Sequence, residues 1–248
     1  MTDFLNLGLL GLAVFFGALV RGYAGFGFSA ISLGLISLWR SPQEVVPIIF
    51  MLEVPASLLI LRQSVRGMDW NWVRPLVGGS VVGVPIGVGL LASLEGPVLQ
   101  MSISGAILLA TWAGGRGWQV PGVNSAVTRW LTGVVSGVLN GLSALGGMVC
   151  AVVFYATTMR PVTLRATLTI LFLFTDVFAL VLAYFFNLLS LETARQAAGL
   201  MLVLMLGIHL GSKAFRTASE EQFRRFVYLL LLGLGTLGTV KAGWMLLN

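Results

Sequence analysis

An arginine and three glycines interrupt the first apolar stretch of this chain, in the order Arg21-Gly-Tyr-Ala-Gly-Phe-Gly27. A charged side chain inside a spanning apolar segment is costly and is by default a candidate for function. Arginine offers a planar set of donors that suits an oxyanion, and glycines at a helix break let an anion approach the backbone N–H groups. The stretch therefore predicts an anion-binding site formed by Arg21, Gly22, Tyr23, Gly25, Gly27 and Ser29.

A second cluster repeats this pattern 119 residues later, as Asn140-Gly-Leu-Ser-Ala-Leu-Gly146. Gly141 stands at the position of Gly22, and Gly146 at that of Gly27. Helix packing is the alternative use of glycines in apolar helices. Because the two clusters are in register, we predict that the second completes the site with Asn140, Gly141, Ser143, Gly146 and Gly147.

Three further titratable residues lie inside apolar segments: Glu53, Asp176 and His209. Ionisable groups at membrane depth relay protons or pair with one another, so all three are candidates for proton coupling and the two acids also for pairing with Arg21. The alternatives are a structural polar contact for the acids and a core position for the histidine. A single cysteine, Cys150, excludes an intramolecular disulfide and a thiolate metal cluster, and no cofactor or metal is expected.

The elements that must position these residues are membrane helices. The chain is 57% hydrophobic and 10% charged, with a mean hydropathy of +0.95, whereas a soluble domain carries about 25% charged residues. Basic residues are scattered, which argues against a nucleic-acid partner despite a net charge of +6. Apolar segments recur along the chain at 4–38, 43–61, 73–92, 97–113, 126–158, 163–186, 194–212 and 226–246. This pattern predicts an all-α polytopic membrane protein.

Segments 4–38 and 126–158 are too long for one crossing, so we predict that they break near 22–27 and 141–147. If each of these segments crosses the membrane once, seven basic residues lie on each side of it. If each is a hairpin that enters and returns, eleven face one side and three the other, as the positive-inside rule requires. The halves 1–122 and 123–248 are then two inverted repeats, each a broken hairpin helix followed by three transmembrane helices, with both termini periplasmic.

Two smaller features complete the helix assignment. Gly83-x-x-x-Gly87 and Gly207-x-x-x-Gly211 correspond between the halves and are predicted to be helix-packing faces. Arg160 and Arg165 are expected to anchor the topology at the cytoplasmic end of segment 163–186.

The order of these motifs resembles the TauE/SafE family of sulfite-exporter-like permeases. The resemblance is carried by Arg21-Gly-Tyr-Ala-Gly-Phe-Gly27, by Arg40-Ser-Pro42, by the Gly79-to-Gly87 helix followed by Ser93-Leu-Glu95, and by the second copy from Gly137 to Gly147. It implies transport of small sulfur-containing anions such as sulfite, sulfoacetate or isethionate across the inner membrane of a bacterium, without a redox cofactor. Leu142-Ser-Ala-Leu145 departs from the family's richer glycine pattern, which gives the first hairpin more weight.

The expected function is a secondary transporter that works by alternating access between the hairpin tips, with proton coupling left open. The alternative is an anion channel or a permease for another small oxyanion. An enzyme is not expected, because the sequence has no HExxH motif and no evident catalytic triad. The expected partners are a small anionic substrate and the lipid bilayer, and a homo-oligomer is left open.

Overall fold

All regular elements in the described part of the chain are helices. The structure is a computed structural model. It describes residues 2–37, 39–64, 67–94, 122–123, 125–155, 157 and 159–217, and positions 98–99, 101–102, 105, 219, 221–222, 225–226, 229, 232–233, 236 and 240. Predicted segments 97–113 and 226–246 therefore lie largely outside the described residues.

Eight helices follow one another within these residues. The first four are α1 (Thr2–Ala24), α2 (Phe28–Ile36), α3 (Pro42–Ser64) and α4 (Trp70–Ser93). The next four are α5 (Ala126–Ser143), α6 (Gly146–Tyr155), α7 (Pro161–Phe185) and α8 (Leu191–Thr217). Local chemistry sets several starts, since Asp69 and Ser125 accept backbone N–H groups at the N-termini of α4 and α5 and a proline begins α7.

Four of these helices are long and apolar enough to cross a membrane: Pro42–Leu61, Trp70–Ser93, Pro161–Phe185 and Leu191–Thr217. Gly8–Ala24 is a shorter apolar helix. Large apolar side chains such as Phe185 and Leu202 point outward rather than into the core, as they do on a lipid-facing surface. The predicted class, an all-α polytopic membrane protein, is confirmed.

Both predicted helix breaks are present. Gly25 and Gly27 separate α1 from α2 with φ of 83° and 92°, a region that side-chain-bearing residues rarely adopt. Ala144 separates α5 from α6 with φ of 57°, although it carries a Cβ. The last N–H groups before each break close a helical turn, from Gly25 N to Arg21 O at 2.8 Å and from Ala144 N to Asn140 O at 2.7 Å.

The chain reverses direction at each break, so that each broken segment is a hairpin. In the first hairpin, Ser32 Oγ donates to Ala13 O at 3.3 Å, which places α2 back along α1. In the second, Ser136 Oγ donates to Gly146 O at 2.9 Å, and Cys150 Sγ lies 3.4 Å from Ser136 Oγ. The predicted hairpins are confirmed as chain reversals, whereas the inverted orientation of the two halves stays a prediction.

Each hairpin packs against a long helix of the other half. Helix α4 lies along α5, and α8 lies along α1. Glycines allow both contacts, since an added Cβ at Gly87 would lie 2.8 Å from Leu142 N and one at Gly211 would lie 2.9 Å from Tyr23 N. The prediction that Gly83-x-x-x-Gly87 and Gly207-x-x-x-Gly211 are packing faces is therefore confirmed.

Helices α3 and α7 pack against each other and against both hairpins. The two hairpin tips meet beside them, because a Cβ on Gly147 would lie 3.1 Å from Phe26 Cβ and 2.7 Å from Phe172 Cζ. Glu53 and Phe172 lie near the middle of α3 and α7. The fold thus brings both tips to about the mid-length of two membrane-spanning helices.

Candidate functional site

Arg21, in the last turn of α1, is fully buried at the tip of the first hairpin. Its Nη2 lies 3.2 Å from Glu53 Oε2 and donates to Ser57 Oγ at 2.8 Å, and its Nη1 donates to Gly25 O. The Nε atom is buried and has no hydrogen-bond partner. The guanidinium is therefore fixed on α3 and still retains an unused donor.

Glu53 ties the two arms of this hairpin to α3. It is 4% exposed, and its Oε1 accepts a hydrogen bond from Ser29 Oγ at 2.7 Å, in the first turn of α2. Its other oxygen faces Arg21 on α1. A buried charge needs a partner, so the pair keeps the tip electrically neutral.

The second half of the chain closes the site from the opposite side. The ring of Phe172 lies 4.4 Å from Arg21 Cζ, which is a cation–π contact. A small cavity of about 10 Å³, with room for about one water molecule, lies between the two tips. It is lined by Arg21, Gly27, Ser29, Ala30, Glu53, Ala144, Leu145, Gly147, Met148 and Phe172.

The cavity combines one charged corner with an apolar wall. Arg21 and the N-terminal turn of α2 supply the positive potential, while Leu145, Met148 and Phe172 supply apolar surface. In this closed arrangement the cavity has room for about one water molecule, so a ligand of several heavy atoms requires the tips or the lining side chains to move apart. The chemistry of the lining suits a small oxyanion that carries a short apolar group.

A second polar pair lies beside the cavity without lining it. Asn140 Nδ2 donates to Asp176 Oδ1 at 2.8 Å, and both residues are buried. Asp176 Oδ2 is buried and has no hydrogen-bond partner. Arg21 and Asn140 each donate to the residue 36 positions further along the chain, Ser57 and Asp176 respectively.

Several predicted site residues serve as packing positions at the tips. Gly22 adjoins the backbone of Ile208 on α8, and Gly141 adjoins the backbone of Val84 on α4. Gly146 adjoins Ser136 within its own hairpin. None of the three glycines is among the residues that line the cavity. Their direct contact with an anion stays a prediction.

The remaining predicted residues point away from the cavity. Tyr23 packs edge-on against Phe226, with ring centroids 4.6 Å apart. Ser143 Oγ donates to Leu139 O within its own helix. His209 lies on the exposed face of α8. The structure therefore brings Arg21, Gly27, Ser29, Glu53 and Gly147 together at one cavity.

Comparison with known proteins agrees with this architecture. The family model described as sulfite exporter TauE/SafE matches residues 10–237. The chain belongs to the TauE/SafE family. A curated relative from Cupriavidus necator, named as a probable sulfite/organosulfonate exporter TauE, is 26% identical over 239 residues, which cover 93% of each chain. No solved structure gives a significant match.

Membership of the TauE/SafE family confirms the resemblance stated from the motifs. It identifies a membrane transport protein rather than an enzyme. Among the residues that the structure describes, no group of three His, Cys, Asp or Glu side chains is placed to hold a metal ion.

A second buried cation of this TauE/SafE protein lies near the tip of the first hairpin. Arg165 is 4% exposed, whereas Arg160 is exposed, and the anchoring of the topology by these two residues stays a prediction. Arg165 Nη2 donates to Gly22 O at 2.6 Å and to Ser212 Oγ at 2.8 Å. No carboxylate within the described ranges pairs with it. Arg165 therefore holds the end of α1 against α7 and α8.

Proposed function

We propose that this protein is a secondary transporter that moves small sulfur-containing anions across the inner membrane of a bacterium by alternating access. The expected substrates are sulfite and short organosulfonates such as sulfoacetate and isethionate. The observation that carries the proposal is the buried Arg21 in a cavity between two hairpin tips. The name of the Cupriavidus relative supports the choice of sulfur anions.

The sulfonate group meets Arg21 and the N–H groups at the start of α2, because both present donors to the same cavity. The short organic part of the anion lies against Leu145, Met148 and Phe172. The first hairpin thus provides the charged group, and the second provides apolar surface.

Alternating access follows from the hairpins, which approach the middle of α3 and α7 from two parts of the chain. The proposal includes two inverted repeats, 1–122 and 123–248, with both termini periplasmic. The packing supports the presence of two repeats. Helix α4 of the first half packs on α5 of the second, and the corresponding helix α8 of the second half packs on α1 of the first. Discontinuous helices that meet at the membrane midplane are the usual site of secondary transporters.

Transport by purified protein in liposomes tests the proposal. Uptake of radiolabelled isethionate and of sulfite should saturate with concentration, and Arg21→Ala should lower it at least tenfold. Arg21→Lys should restore it only partly, because an ammonium lacks the planar fork. The matched control is Arg160→Gln, which removes an exposed arginine and leaves transport unchanged.

Three results would contradict this proposal. Wild-type rates in Arg21→Ala would remove the charged cavity from transport. A response to another oxyanion with silence from every sulfur anion would refute the substrate class. Flux that never saturates would indicate a channel instead of a carrier.

A further inference from the structure

Glu53 occupies the place that an anion would take on Arg21. We propose that the transported anion displaces the Glu53 carboxylate from the Arg21 guanidinium, and that the displaced carboxylate takes up one proton. Anion and proton then bind to the protein together. This inference rests on the proposed function, because it concerns the same cavity.

The geometry favours a displacement, because Nε is the one Arg21 nitrogen without a partner and a bidentate oxyanion needs two donors. Arg21 Nη1 already donates to Gly25 O, and Nη2 is shared between Ser57 Oγ at 2.8 Å and Glu53 Oε2 at 3.2 Å. Phe172 covers the guanidinium on the cavity side. Among these partners of Arg21, Glu53 is the charged one. It lines the cavity beside Arg21, and its carboxylate is itself an oxyanion. A ligand oxyanion that engages two guanidinium donors therefore competes with this carboxylate.

Within the described residues, the other buried cation near this site is Arg165 on α7, and its guanidinium already donates to Gly22 O at 2.6 Å and to Ser212 Oγ at 2.8 Å. Arg21 faces Glu53 from α1, and the buried acid Asp176 lies on α7. Helix α2 carries no titratable residue. The titratable residues of α8 that the structure describes are exposed: Glu192, Arg195, His209, Lys213 and Arg216.

Charge balance then determines the proton count. Before binding, Arg21 and Glu53 together carry no net charge. If a monoanion replaces Glu53 and no proton enters, the buried site holds one net negative charge, which is unfavourable in a medium of low polarity. If a proton from solution joins the freed carboxylate, the site remains neutral. Ser29 Oγ, 2.7 Å from Glu53 Oε1, remains a partner for the resulting carboxylic acid.

Calorimetry of isethionate binding to the full-length protein in detergent measures this proton directly. A sulfonate has no group that titrates near neutral pH, so any proton taken up belongs to the protein. The binding heat is recorded at pH 7 in buffers of low and high ionisation enthalpy, and its slope against that enthalpy gives the number of protons. We expect about one proton per anion, and a slope of zero overturns the inference.

Two variants locate the proton. Glu53→Gln should still bind isethionate, because Arg21 remains, but with no proton uptake. Asp176→Asn is the matched control, since it removes a buried carboxylate that has no cation partner, and its proton count should stay at one whatever its affinity. Uptake that persists in Glu53→Gln, or that is lost only in Asp176→Asn, overturns the inference.

The pH dependence provides a measurement that needs no variant. Uptake of one proton on binding makes the isethionate affinity fall about tenfold for each pH unit between pH 7 and pH 9. An affinity that does not change over this range contradicts the inference and leaves the proposed function standing. Failure of isethionate, sulfoacetate and sulfite to bind at all contradicts the proposed function itself.

Discussion

Removal of the Arg21 side chain should destabilise the protein by an amount that depends on pH. In Arg21→Met the carboxylate of Glu53 stays buried but loses its cation, which lies 3.2 Å away in the wild type. At that distance the attraction between two unit charges is about 5 kcal/mol for an effective dielectric constant of 20. If the carboxyl group stays ionised, the variant should lose about this much free energy of unfolding. The loss is smaller wherever protonating the carboxyl group costs less.

Protonation limits the loss. Holding a proton on an ordinary glutamate costs about 4 kcal/mol at pH 7, and this cost changes by about 1.4 kcal/mol per pH unit. The folded variant then binds one more proton than its unfolded chain, so its stability falls as the pH rises. We expect Arg21→Met to lose about 2 kcal/mol at pH 6, about 4 kcal/mol at pH 7 and about 5 kcal/mol at pH 8.

Unfolding of the detergent-solubilised protein by sodium dodecyl sulfate, followed by tryptophan fluorescence at the three pH values, measures this loss. The double variant Arg21→Met/Glu53→Gln has no buried charge at this position. It should regain most of the stability and should show no additional dependence on pH, because replacing a buried ion pair by neutral groups is often close to neutral. Stability of Arg21→Met that is constant from pH 6 to pH 8 would refute the reasoning, as would a double variant no more stable than the single one.

Three further predictions concern the packing of the hairpins. Gly87→Ala should lower the melting temperature because the new Cβ meets the α5 backbone, whereas Gly89→Ala, which meets nothing within 4 Å, should leave it unchanged or raise it. Arg165→Gln should lower both the melting temperature and isethionate transport, since it releases the end of α1, and the exposed Arg160→Gln should change neither. Ala144→Gly should raise stability by about 1 kcal/mol in the same unfolding assay, because it relieves a left-handed backbone conformation, and an unchanged value would contradict this account.

The helix breaks were predictable because they depend on local chemistry and length. Gly25 and Gly27 adopt backbone angles that favour glycine, and a straight helix over 4–38 would be longer than the bilayer is thick. Ala144 has no such local signal. Its break was predicted from the length of segment 126–158 and from the position of Ala144, 119 residues after Gly25.

The partners of the two buried acids were not predictable from residue types. Glu53 and Asp176 look alike in sequence, since each is an acid in the middle of an apolar segment. In the structure Glu53 pairs with Arg21, while Asp176 accepts a hydrogen bond from Asn140. Which acid meets the arginine depends on how α3 and α7 cross, and this crossing is set by packing along the whole length of both helices.

The burial of Arg165 was not predictable for a related reason. A basic residue in the first turns of a spanning helix usually marks the membrane surface, and nothing in the neighbouring sequence contradicts that interpretation. Its burial is caused by α8 and by the end of α1, which cover it with Ser212 and Gly22. Both lie far from Arg165 along the chain.

The glycine contacts of α1 with α8 and of α4 with α5 have a consequence for how such a chain arises. Half of this protein on its own would expose the glycine face of its hairpin, because the helix that covers that face belongs to the other half. If the two halves arose from one ancestral sequence, a protein of half the length would cover that face by forming a homodimer, in which the helix corresponding to α4 packs on the hairpin of the partner copy. Fusion of two copies would preserve every contact and would free the two halves to diverge, so that an arginine persists at one tip and an asparagine at the other.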